Sequence, residues 1–199
     1  MHRRTAALAC AALIAGPFAG SLAACTSGGD DAGTFAFHSP GGQVEIFYDE
    51  AERKPLADFG GESLTAPGEE IKLSDFAGQV VVLNAWGQWC APCRAEVDDL
   101  QEVQETLQSD GTGTVLGINV RDYNPEISRD FLTDSGTTYP SLYDPPFKTA
   151  AYLGGVPSSV IPTTVVLDNQ HRPAAVFLRE VTADDILEVV TRLREEGNA

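Results

Sequence analysis

The stretch Val80-Val81-Val82-Leu83-Asn84-Ala85-Trp86-Gly87-Gln88-Trp89-Cys90-Ala91-Pro92-Cys93-Arg94 decides how the chain is read. Its first four residues form a continuous apolar run rich in β-branched side chains, as a central strand buried on both faces requires. Beyond Cys93, apolar Val97, Leu100, Val103 and Leu107 recur at helical spacing among acidic and amide residues, so an amphipathic helix opens at the cysteines. A strand leading through Cys-x-x-Cys into a helix sets Cys90 among unsatisfied N–H groups at the positive end of the helix dipole. Thiolate is favoured there, which makes Cys90 the attacking nucleophile and Cys93 the thiol that resolves the mixed disulfide. Pro92 suits the first turn because it has no N–H to leave unpaired. Trp89 offers a rigid apolar wall beside Cys90, and Trp86 reads as ordinary core.

Working back to the N-terminus, His2-Arg3-Arg4 precedes an apolar run from Ala6 to Ala15 that breaks at Gly16-Pro17. This is the pattern of an export signal, too short for a permanent span of roughly 20 apolar residues. It ends in Leu22-Ala23-Ala24-Cys25, which resembles the bacterial lipobox. That resemblance implies cleavage after residue 24 and a diacylglycerol thioether on Cys25; ordinary secretory cleavage, with Cys25 left as a thiol, is the alternative. The expected organisation is a signal peptide over 1–24, a flexible tether over 25–33 and one domain over 34–199. The tether, Thr26 to Gly33, is small and polar and buries nothing.

Export also settles the cysteines. Cys10 leaves with the signal and Cys25 is consumed by lipid, so Cys90 and Cys93 remain, with His38 and His171 distant in sequence. A tetrahedral zinc site needs about four such ligands, so no metal and no cofactor are expected. A structural staple is disfavoured because so small a loop removes little entropy from the unfolded chain. The formal charge of −16 becomes −18 without Arg3 and Arg4, which argues against nucleic acid and against charge-driven membrane binding. Attachment then falls to the lipid, each buried methylene contributing about 0.8 kcal/mol.

Gln43 to Tyr48 alternates as a half-buried strand, and Leu56 to Leu73 holds short strand-like pieces between Gly and Pro; together they are expected to form an N-terminal hairpin. Thr114 to Val120 reads as a second buried strand after Gly111 and Gly113. Pro125 to Thr133 reads as a helix capped by Asn124. A short strand or turn over Tyr139 to Asp144 and a short inserted helix over Phe147 to Leu153 follow. The strand Thr163 to Leu167 turns at Asp168 to Arg172 and pairs antiparallel with Ala174 to Leu178. Thr182 and Asp185 cap a closing helix with Ile186, Val189, Val190 and Leu193 on its apolar face.

Taken together, Trp89-Cys90-Ala91-Pro92-Cys93, the buried strand before it and the later Ile161-Pro162-Thr163-Thr164 resemble thioredoxin-fold proteins, more narrowly the extracytoplasmic TlpA, ResA and CcmG group. The resemblance runs from about Phe59 to Leu193. It implies an α/β thioredoxin-like fold, a central mixed β-sheet flanked by helices, with the N-terminal hairpin and inserted helix as additions. It also implies that Pro162 is cis and lies against the disulfide, and that Ile161 pairs backbone to backbone with the substrate by β-augmentation. Thioredoxin's buried aspartate is replaced here by Asn84, which takes no proton. Glu96, one turn after Cys93, resembles the glutamate that tunes the cysteines in the ResA-like group.

Ala91-Pro92 keeps the proline of reducing thioredoxins and lacks the histidine of strong oxidants in this fold, which points to a reducing dithiol. The resemblance adds a membrane thiol-transfer protein as electron donor and protein disulfides as substrates, such as the haem-binding cysteine pair of apocytochrome c. The expected protein is therefore a monomeric, lipid-anchored thiol-disulfide oxidoreductase on the extracytoplasmic face of a bacterial cell membrane. A disulfide-forming oxidase of secreted proteins and a non-catalytic scaffold lipoprotein remain as alternatives. Recognition is expected in the loops Tyr123-Asn124 and Tyr143-Asp144-Pro145-Pro146.

Overall fold

The computed structural model describes residues 33–197; the expectations for the signal peptide, for Cys25 and for the tether up to residue 32 lie outside them. In chain order the elements are β1 (Glu45–Phe47), β2 (Gly60–Glu62), β3 (Glu70–Lys72), β4 (Val80–Trp86), α1 (Ala91–Ala95), α2 (Val97–Ser109), β5 (Gly113–Asn119), α3 (Pro125–Asp134), β6 (Ser141–Tyr143), β7 (Thr163–Leu167), β8 (Pro173–Phe177) and α4 (Ala183–Gly197). The inserted helix is 3-10, over Lys148–Tyr152. Among the described residues, no helix is long and apolar enough to cross a membrane.

The main sheet has six strands in the order β1-β8-β7-β4-β5-β6. β4, β5 and β6 run parallel, while β7, β8 and β1 add antiparallel. This is a thioredoxin-like mixed sheet with β4 at its centre, and every residue of β4 is buried. The strand's period of two divides those residues between two cores. Val81, Leu83 and Ala85 face a cluster with Phe35, Leu56 and Leu153, whereas Val80 and Val82 face α2 and α4. On that second side Leu100, Val103 and Leu107 of α2 are at most 1% exposed, each contributing roughly 1.5–3 kcal/mol by burial.

The N-terminal region departs from the expectation in its partners. β2 and β3 do form a hairpin, but β1 leaves it and adds to the main sheet beside β8, Ile46 opposite Val176. Ile46 is buried between exposed Glu45 and Phe47, so the alternation is that of a strand with one apolar face, and β8 supplies the core that this face needs. The helix after the cysteines also differs, being interrupted at Glu96 into α1 and α2. Elsewhere the local signals act as read. Asn124 Oδ1 accepts from Glu126 N–H at 3.0 Å, and Thr182 and Asp185 close a reciprocal box at the start of α4.

Candidate active site

β4 and β5 are parallel, so their carboxyl ends open on the same edge of the sheet, where α/β proteins place their sites. From β4 the chain turns through Gly87 to Cys90, which caps α1, its Sγ accepting from Cys93 N–H at 3.2 Å. Cys90 and Cys93 form a disulfide with an S–S distance of 2.13 Å. Each cysteine is only 3% exposed, within a cluster that includes Leu64, Trp86, Leu132 and Ile161. Among the described residues, the Cys93 N–H makes the one hydrogen bond to Cys90 Sγ.

Across from the disulfide, the Ile161-Pro162 peptide is cis. The Ile161 carbonyl oxygen lies 3.8 Å from Cys90 Sγ. Thr163 Oγ1 donates to Val160 O at 2.9 Å, closing the loop on itself. The two tryptophans of the motif part ways. Trp86 is buried, donating Nε1–H to Ser141 Oγ at 3.1 Å. Trp89 is 45% exposed and is held by its Nε1–H to Val120 O at 3.1 Å. Gly87 lies tight beneath it, since a Cβ there would run into the Trp89 indole.

Behind the disulfide, Glu96 is fully buried rather than solvated. Its Oε1 accepts from Asn84 Nδ2 at 2.9 Å and its Oε2 from Val181 N–H at 3.0 Å. Asn84 Nδ2 also donates to Thr164 Oγ1 at 3.0 Å, joining β4, the helix break and the strand after Pro162 in one buried network. Burial pushes the Glu96 carboxyl from 4.5 to about 7; its two hydrogen bonds pull it down, and the charges of Glu180 and Asp99 push it up. Tyr139 is raised as well, first by burial and then by the charge of Glu96. The structure thus brings Trp89, Cys90, Cys93, Glu96, Ile161 and Pro162 to one end of the sheet. Cys25 lies outside the described residues. Among the described residues, no group of three or more His, Cys, Asp or Glu is placed to hold a metal ion.

Sequence reasoning passed over Arg121 and Asp122, just beyond β5. Asp122 Oδ2 accepts from Gln88 N–H at 2.7 Å, from Asn119 Nδ2 at 2.8 Å and from Ser128 Oγ at 3.0 Å, fixing the loop that carries Trp89. The available signal was positional: polar residues directly after a buried parallel strand face the site.

A disulfide capping a helix at the carboxyl edge of a mixed sheet, faced by a cis-proline loop and backed by a buried carboxyl, defines a thioredoxin-fold thiol-disulfide oxidoreductase. The chain belongs to the AhpC/TSA family, which matches residues 53–172. A secreted thiol-disulfide isomerase from Corynebacterium glutamicum is similar in structure, 68% identical with a TM-score of 0.79, over 80% of this chain and 97% of that one. A DsbF homologue from Corynebacterium diphtheriae is 65% identical with a TM-score of 0.77, over 80% and 99%. The thiol-disulfide oxidoreductase ResA of Geobacillus thermodenitrificans is 29% identical over 119 residues, 60% of this chain and 66% of the relative's length.

Proposed function

We propose that the chain is an extracytoplasmic, membrane-anchored reductase of protein disulfides, attached through a lipid on Cys25. In the reduced protein the Cys90 thiolate attacks one sulfur of a substrate disulfide, forming a mixed disulfide and releasing the other substrate sulfur as a thiolate. The Cys93 thiolate then attacks Cys90 Sγ, releasing the second substrate thiolate. Two electrons pass to the substrate, and the protein is left with the Cys90–Cys93 disulfide. Ile161 presents its carbonyl to the extended substrate segment, Pro162 keeps that edge against the sulfurs, and Trp89 walls the opposite side. Glu96 takes the role of the missing aspartate, handling the proton of the buried thiol.

The observation that carries the direction is the poverty of donors around Cys90. A strong oxidant needs its reduced form stabilised, and among the described residues of the disulfide form Cys90 Sγ accepts one hydrogen bond, from Cys93 N–H. A carboxylate at Glu96, once ionised, disfavours a second negative charge nearby and so favours the disulfide form of the protein. The resemblance to the ResA and CcmG group supports a membrane thiol-transfer protein as donor and the cysteine pair of apocytochrome c as acceptor, with the chain acting as a monomer. A second reading, shuffling or forming disulfides in secreted proteins, is favoured by the naming of the Corynebacterium glutamicum protein as an isomerase. Redox titration decides between them. A potential of about −220 mV or lower is expected, and one near −120 mV would overturn the reductive direction.

A further inference from the structure

Arg121 sits where the two walls beside Cys90 approach each other. Its guanidinium lies 5.8 Å from the centre of the Trp89 ring. The same group donates through Nη2 to Ser158 O at 2.7 Å, in the loop that leads to Ile161 and Pro162. Its backbone N–H donates to Pro145 O at 2.9 Å, in the loop expected to take part in recognition. The residue adopts φ 58°, a left-handed conformation uncommon for a residue with a Cβ and typical of positions that surrounding contacts over-determine. One residue therefore ties together three segments that are far apart in sequence, two through its exposed side chain and one through its backbone.

We propose that Arg121 is a positioning residue that sets the width and alignment of the polypeptide-binding cleft, holding Trp89 on one side and the Ser158-to-Pro162 loop on the other. It makes no described contact with the sulfurs, so it acts on how a peptide is gripped rather than on the exchange step. The arrangement selects disulfides carried on an extended polypeptide, which must lie between both walls, over small disulfides that need only reach Cys90. A guanidinium suits the task because it spreads its charge over a broad group that faces the indole while one N–H donates to a carbonyl, which a compact ammonium does less well. This inference rests on the oxidoreductase reading and deepens it by naming the feature that makes peptides the preferred substrates.

The test compares reduction of a short synthetic peptide containing a Cys-x-x-Cys disulfide with reduction of hydroxyethyl disulfide, by the wild type, Arg121→Met and Arg121→Lys. For Arg121→Met, KM for the peptide is expected to rise severalfold, up to about tenfold if the free energy of one surface cation–π contact plus one hydrogen bond goes entirely into ordering the cleft. Its kcat, its rate with hydroxyethyl disulfide and its redox potential are expected to stay unchanged, and Arg121→Lys to recover only part of the loss. Combined with Trp89→Leu, the effect on KM should be less than the product of the single effects, because both changes break one contact. An unchanged peptide KM, an equal fall with both substrates, or full independence of the two substitutions would overturn the role of Arg121. A wild-type protein that reduces neither substrate would instead remove the oxidoreductase reading, and this inference with it.

Discussion

Glu96→Gln separates a titrating buried acid from a merely well-bonded one. In the folded chain burial lifts the carboxyl from 4.5 to about 7, despite the Val181 N–H and the Asn84 amide. Between those two pH values the folded state keeps a proton that the unfolded chain has released. The stability associated with Glu96 is thus fully present below pH 4.5 and lost as pH rises through 7, by about 3 kcal/mol in total. Glutamine has no proton to lose, so that slope disappears. Its amide nitrogen meets a donor at both present contacts, but Asn84 Oδ1 is buried with no partner and accepts it once the Asn84 amide turns over, so the cost common to every pH stays below about 1–3 kcal/mol. Urea unfolding of the oxidised protein at pH 5 and pH 8 reads both effects. The wild type should lose about 2–3 kcal/mol more than the variant between the two pH values. In the reduced protein, the pH profile of Cys90 alkylation should lose an inflection near 7. A stability difference between wild type and variant that is the same at pH 5 and pH 8 would refute the argument.

Cys93→Ser leaves Cys90 able to attack but removes the resolving thiol, so mixed disulfides with protein substrates should accumulate and be identifiable by mass spectrometry; Cys90→Ser should accumulate none. Gly113→Ala should destabilise the fold by about 1–3 kcal/mol in thermal or urea unfolding, because the new methyl would run into the Val80 carbonyl across the parallel pair. The Asp185 carboxyl is held at about 2, first by Arg179 and then by the Thr182 cap against the cost of burial. Its contribution is present above pH 3.8 and lost as pH falls toward 2, and Asp185→Ala should cost about 1 kcal/mol at pH 7, measured by urea unfolding.

Much of the fold was legible because its signals are local. Val80 to Leu83 announces a strand buried on both sides, the spacing of Leu100, Val103 and Leu107 a helix packed on one face, and Thr182 with Asp185 a helix start. Cys90 and Cys93 were legible for the same reason, as neighbours in sequence set at a strand-to-helix junction. What was not legible is partnership at long range. Alternation identifies Glu45–Phe47 as a strand but says nothing of β8, which lies far along the chain. The break at Glu96 is likewise tertiary, coinciding with side-chain bonds to Asn84 and Val181. Arg121 and Asp122 belong to a loop with no periodicity, and their places follow from the parallel register of β4 and β5.

The near-complete enclosure of Cys90 and Cys93 has a consequence for how the protein lives among other thiols. A disulfide 3% exposed at each residue presents a smaller cross-section to small molecules than an open one would, while a polypeptide docked on Ile161 as proposed above would be delivered to it directly. Its oxidation state would then be set more by encounters with partner proteins than by small thiols in the surrounding medium. On the reductive reading proposed above, a dithiol enclosed to the same degree would keep its electrons in an oxidising space until a partner protein arrived.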